Sequence, residues 1–142
     1  MPGHNDPLQR HLLAALPTEE RERLYPHLRP VLMPLGKVLY ESGDVQHHVY
    51  FPTDCIISLL YVMADGASAE ISVVGNEGLI GVSLFMGGET TPSRAIVQSA
   101  GGAFQLAGQQ LKDEFHRNGT MQILLLRYTQ ALLTQMAHRH LQ

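Results

Sequence analysis

Between Ile56 and Ala100 the chain is a succession of short apolar runs cut by turn signals, and few folds accept that pattern. Residues 56–62 and 69–74 are β-prone, and Asp65-Gly66 between them is a strong short-range hairpin signal. A segment punctuated by Gly75, Gly78 and Gly81 follows, with glycines suited to tight bends or close backbone approach. A loop from Met86 to Pro92 then leads into the strand-like residues 93–100.

The same rhythm extends in both directions. Residues 31–33 and 37–40 flank Pro34-Leu35-Gly36, and Glu41-Ser42-Gly43-Asp44 closes the second run. Residues 47–51 form the next run, ended by Pro52. After a turn at Gly101-Gly102, residues 103–106 read as the last strand. Turn signals spaced every ~8–12 residues predict an all-β sandwich or barrel.

Helices bracket this region. Asp6-Pro7 suits a helix start, and Leu8, Leu12, Leu13 and Leu16 repeat at helical spacing until Pro17. Thr18 is the expected cap of a second short helix. Glu19 and Glu20 complement its dipole, Leu24 and Leu28 point inward, and Arg21, Glu22 and Arg23 form a solvated face. Residues 109–115 predict another helix, with Leu111 and Phe115 on one side, interrupted by Asn118-Gly119-Thr120. A long helix runs from about Met121 to the end. Leu125, Tyr128, Leu132 and Met136 lie on one stripe, widened by Leu124, Ala131 and Leu133. That stripe must be buried against the chain's own strands or against a second copy.

Composition narrows the class. At 142 residues, 44% apolar and 16% charged, the chain suits one globular domain with a sizeable core. It lacks a membrane-length apolar run, and its Met1-Pro2-Gly3-His4 start is unlike a signal peptide. A single cysteine, Cys55, excludes an internal disulfide, suits a reducing cytoplasm and reads as an inert strand residue. Ten basic against 13 acidic residues give a formal charge of −3, so the chain's own surface is not expected to hold DNA.

Catalytic constellations are missing from the sequence. His47 and His48 would point to opposite faces of a strand. His138 and His140 would sit about 200° apart on a helix, so neither pair makes a metal site. Ser83 lacks the second glycine of a nucleophile elbow, and Gly87-Gly88 lacks the Lys-Ser/Thr of a phosphate loop. No enzyme, metal or cofactor is expected.

The series Gly43-Asp44, His48-Val49-Tyr50-Phe51-Pro52, residues 75–81 and Ser93-Arg94-Ala95-Ile96-Val97 resembles the cyclic-nucleotide-binding-like domain of Crp/Fnr transcription regulators. Leu16-Pro17-Thr18-Glu19-Glu20-Arg21 resembles the family's helical lead-in, and the likeness spans roughly Leu12 to Met136. It implies a mainly β fold: a β-roll (double-stranded β-helix, or jelly roll) at 31–106, a helical lead-in at 1–30 and C-terminal helices at 109–142. By the same resemblance the function is that of a regulatory sensor domain, cytoplasmic, with an unidentified small-molecule effector. Its long helix is expected to make a homodimer through Leu125, Tyr128, Leu132 and Met136. DNA becomes a partner only if a winged helix-turn-helix follows Gln142 in the full-length protein.

The resemblance also locates a ligand pocket, at Gly81, Val82, Ser83, Ser93 and Arg94. Nucleotide-binding members follow a glycine with a glutamate for the ribose and later place an arginine beside a small hydroxyl residue for the cyclic phosphate. Here Gly81 matches the glycine, but Val82 replaces the glutamate. Ser93 takes the arginine's position and Arg94 the hydroxyl's. Strand alternation turns Arg94 away from Ser93, toward solvent or a carboxylate such as Glu70 or Glu77. Tight binding of cyclic AMP or cyclic GMP is therefore not expected. Rival classes are a free-standing interaction module without a DNA role and a metal-dependent cupin-type enzyme, which would need a His-x-His and a Glu on neighbouring strands.

Overall fold

The computed structural model describes residues 11–86, 90–91 and 93–141, with residues 11 and 139–141 described by backbone alone. The expected Asp6-Pro7 start, Leu8, Gly87-Gly88, Pro92 and the side chain of His140 lie outside that description. Two short helices lead in: α1 (His11–Ala14) and α2 (Thr18–Leu24). Seven strands follow: β1 (Arg29–Met33), β2 (Val38–Tyr40), β3 (His48–Pro52), β4 (Ile56–Val62), β5 (Ser68–Val74), β6 (Ser93–Ser99) and β7 (Gly101–Ala107). The chain closes with α3 (Gly108–Phe115) and α4 (Thr120–Leu141).

The strands make two antiparallel sheets, one ordered β1-β7-β3 and the other β2-β6-β4-β5. Alternation gives the three-stranded sheet two buried faces. Met33 and Ala103 face the four-stranded sheet, where Ile57, Leu59, Val74, Ala95 and Val97 complete a core between the sheets. Val49, Phe51, Phe104 and Leu106 face the other way, onto Leu13, Leu24, Leu111, Met121 and Leu125 of the helices. The result is two sheets with a helical layer on one outer side. α4 is long enough to leave that layer and cross onto β5 of the far sheet.

Asp65-Gly66 joins β4 to β5 as expected, within a turn over residues 63–67. Gly66 adopts φ 90°, and the Asp65 carboxylate accepts the Ala67 N–H at 3.0 Å. A register shift at Leu59/Leu60 bends the hairpin.

Several expectations are corrected. Pro17, not Thr18, occupies the cap position of α2, and Thr18 is already helical without a side-chain cap. Gly101 and Gly102 belong to β7 and pair with Met33 and Leu32. A Cβ at Gly101 would come within 2.7 Å of the Asp54-Cys55 backbone, and Asp54 accepts the Gly102 N–H at 2.6 Å. Those glycines therefore serve a close approach of the 53–55 loop rather than a turn. Cys55 precedes β4 and is buried, and burial pushes its thiol up to about 11. Arg23 is not simply solvated: its guanidinium holds the buried Glu114 carboxylate on α3, with Nη2–Oε2 at 3.1 Å. Glu20, expected to complement its own helix, is buried and accepts the Met121 N–H at 2.9 Å, at the start of α4.

Candidate functional site

α4 is apolar on two opposite sides, and that decides where a site can be. At 100° per residue, Met121, Leu125, Tyr128, Leu132 and Met136 share one side. Leu125 is fully buried, Leu132 is 6% exposed, and the Tyr128 hydroxyl donates to the Leu79 carbonyl at 3.2 Å. Met136 packs against the core between the sheets. The stripe expected to form a dimer seam is thus buried within its own chain. Of the widening residues, Leu124 packs against the same core as Leu125 and Ala131 borders the groove beside Leu132, whereas Leu133 does not join them. Leu133 is 55% exposed on the flank between the cavity and the outer side, where Ile123 is 50% and Leu126 44% exposed.

Under the second half of α4 lies a cavity of about 320 Å³. Its floor is the roll, with Leu59, Ile71 and Ile80, and its roof is Thr129, Leu132, Leu133 and Met136. On the other flank of Leu132 an open groove of about 430 Å³ runs between β5 and the helix, bordered by Glu77 and Gln135. The second half of α4 therefore stands on Leu132 and Met136 with open space beside it, tied to β5 by a Ser72–Gln135 hydrogen bond of 2.7 Å.

Four of the five residues expected at the ligand site meet in this cavity: Gly81, Val82, Ser83 and Ser93. Gly81 has φ 115°, and a Cβ there would press within 2.9 Å of Val49, so the turn into the 3-10 helix Val82–Leu84 requires glycine. Arg94 is not part of the lining. It alternates away from buried Ser93 and its Nε meets Glu41 Oε1 at 2.6 Å on the outside of the roll. The partner is Glu41 across β2 rather than Glu70 or Glu77; Glu70 instead accepts the Ser58 hydroxyl at 2.8 Å.

Among the described residues the cavity's hydrogen-bonded polar groups gather at one end and none is charged. Thr91 Oγ1 and Ser93 Oγ lie 3.1 Å apart, and Ser83 Oγ donates to Gln46 Oε1 at 2.8 Å. The Tyr40 hydroxyl joins them through Ser93, Gln46 and Thr91, and burial raises its pKa above the ordinary value. Tyr40, Gln46 and Thr91 were not singled out from sequence. Thr91 was legible in principle, since it stands two residues before Ser93, the first residue of β6. Such an arrangement can accept an uncharged hydrogen-bonding group but offers a phosphate no counter-charge.

Among the described residues no three His, Cys, Asp or Glu side chains gather to hold a metal, and no helix is long and apolar enough to cross a membrane.

No family model matches the chain, and no curated protein matches its sequence. Solved structures do. The N-terminal domain of a transcriptional regulator from Streptomyces coelicolor A3(2) is 23% identical, with a TM-score of 0.64, over 96% of this chain and 93% of that one. The sensor domain of the transcriptional regulator DNR from Pseudomonas aeruginosa is 15% identical, with a TM-score of 0.69, over 93% of this chain and 87% of that one. A putative cAMP-binding regulatory protein from Silicibacter pomeroyi DSS-3 is also 15% identical, with a TM-score of 0.71, over 96% of this chain but 62% of that one. The likeness covers the sensor part of these regulators. The chain has the cyclic-nucleotide-binding β-roll fold found in the sensor domains of Crp/Fnr-type transcription regulators.

Proposed function

We propose that this chain is the effector-sensing and dimerising domain of a Crp/Fnr-like transcription regulator, acting in the cytoplasm and without enzymatic activity. The observation that carries this reading is the double face of α4: one side roofs a cavity in the roll and the other is left apolar and open. Along the open side Ile123, Leu126, Gln130, Leu133 and Ala137 alternate spacings of three and four, the pattern of a two-helix seam. A second copy of α4 is the occupant this spacing fits. The seam proposed is therefore Ile123, Leu126 and Leu133, in place of the inward stripe Leu125, Tyr128, Leu132 and Met136.

The two faces give the mechanism. A ligand in the cavity touches Leu133 itself, which edges the cavity and is otherwise exposed on the outer side, so occupancy favours one setting of the paired helices over another. DNA contact belongs to a helix-turn-helix element elsewhere in such a regulator, because these 142 residues carry a formal charge of −3.

Sedimentation equilibrium tests the reading. The parent chain is expected to be dimeric at micromolar concentration, and Leu126→Glu and Leu133→Glu monomeric with the fold retained. Each buried leucine contributes ~1.5–3 kcal/mol to such a seam. A monomeric parent, or charge variants that still dimerise unchanged, would refute it. Specific, salt-resistant retention of duplex DNA by these residues alone would refute the assignment of DNA contact to another element.

A further inference from the structure

The cavity that the sensing role assigns to the effector is built for a different chemistry from a nucleotide. At about 320 Å³ it lies at the small end of small-molecule sites, which run ~300–1,000 Å³. Among the described residues no Lys, Arg, Asp or Glu lines it. The nearest guanidinium along the chain, Arg94, is turned outward and neutralised by Glu41. An anion placed inside would give up water and find no counter-charge, a loss that buried ions do not tolerate unpaired.

The walls are aliphatic and thioether: Leu59, Ile71 and Ile80 below, Leu132 and Met136 above, Met86 at the mouth. Apolar burial against them rewards hydrocarbon and nothing else. Polarity is confined to the Tyr40–Gln46–Ser83–Thr91–Ser93 end. There the hydroxyls already satisfy one another, and because each can rotate to donate or accept, they can take in one neutral donor or acceptor without stranding a partner. On the roof, the Thr129 hydroxyl already donates to the Leu125 carbonyl at 2.8 Å.

We infer that the effector is an uncharged, mainly hydrocarbon small molecule with one hydrogen-bonding group, a hydroxyl or a carbonyl. It lies between the roll and the second half of α4 with its polar end on Ser93, Thr91 and Ser83. This rests on the sensing role proposed above and specifies its ligand class. Binding fills the space beside Leu132 and holds Leu133, which edges both the cavity and the outer side, in one setting.

The experiment uses N-phenyl-1-naphthylamine, a neutral dye that fluoresces in apolar sites, on the full chain. Saturable dye uptake is expected. It is expected to be displaced by 1-octanol at a concentration at least about tenfold lower than by octanoate at pH 8, and not by cyclic AMP; a tenfold ratio corresponds to about 1.4 kcal/mol. Ile71→Trp, which fills the cavity, is expected to abolish uptake, whereas Arg94→Ala leaves it unchanged. The octanol–octanoate comparison needs no variant and stands even if the tryptophan disturbs folding. Absence of dye uptake by a folded dimer overturns the ligand class and leaves the sensor-dimer reading intact. Octanoate or cyclic AMP competing as well as 1-octanol also overturns it. A monomeric chain that prefers 1-octanol supports the ligand class while removing the dimer reading.

Discussion

The two halves of α4 rest on very different ground. Beneath the first half, Met121 and Leu125 are fully buried among Leu13, Leu24, Leu106 and Leu111, and Glu20 holds the helix start. Beneath the second half, Leu132 and Met136 bridge a cavity and a groove, and the Ser72–Gln135 hydrogen bond reaches β5. Packed interiors transmit strain, while a helix over open space can shift at little cost. One helix is thus an anchor at its start and a lever toward its end, the division that the proposed sensing role requires.

The largest effect expected separates inside from outside within the anchored half. Leu125→Ala removes a fully buried side chain and should cost ~2–5 kcal/mol in denaturant unfolding. Leu126→Ala, one residue on and exposed, should leave monomer stability within ~0.5 kcal/mol and weaken only dimerisation. Equal losses at both positions would erase the distinction between the two faces.

Glu20→Ala probes the anchor from its other side. It leaves the Met121 N–H buried without its partner and should cost ~1–3 kcal/mol, read from the urea midpoint. Gly119 sits so close to this carboxylate that a Cβ there would lie 2.9 Å from Glu20 Oε1. A neutral outcome would mean that the start of α4 is held by packing alone.

Tyr128 stands at the border between the halves. Burial first, and the nearby Glu77 charge less, push its hydroxyl up to about 12, against an ordinary value of 10.0. The folded chain keeps this proton after the unfolded chain has lost it. The contribution is therefore complete below about pH 10 and is lost as pH rises toward 12, by roughly 2–3 kcal/mol in all. Tyr128→Phe should lose ~1 kcal/mol at neutral pH with its hydrogen bond to Leu79, and should flatten that alkaline decline. A decline just as steep in the variant would place its cause elsewhere.

The smallest effect concerns Cys55. Buried, with its thiol pushed up to about 11, it should react with a disulfide reagent at pH 8 only as fast as the core between the sheets opens. Rapid labelling of folded protein would show that this core is looser than the anchor.

What the sequence made legible follows from how local each signal is. The Asp65-Gly66 hairpin and the strand at β6 are written in neighbouring residues, and alternation alone separates inward Ser93 from outward Arg94. The orientation of α4 is different. Leucines at 124, 125, 126, 132 and 133 surround the helix, so periodicity offers two apolar faces and does not say which meets the roll. The stripe Leu125–Tyr128–Leu132–Met136 is real, but it meets its own chain rather than a second copy. Arg23–Glu114 and Glu20–Met121 join residues 91 and 101 positions apart, where no pattern in the chain reports proximity. The cavity's polar end is likewise assembled from separated segments, and of it only Ser83 and Ser93 were visible beforehand.

Amide hydrogen exchange along α4 tests the central claim, that its first half is an anchor and its second a lever over the cavity. Residues 121–129 are expected to exchange as slowly as the strands of the core. Residues 130–138 are expected to exchange at least about tenfold faster, and 1-octanol to slow this second group alone. A helix whose amides all exchange together, with or without the alcohol, would contradict the account.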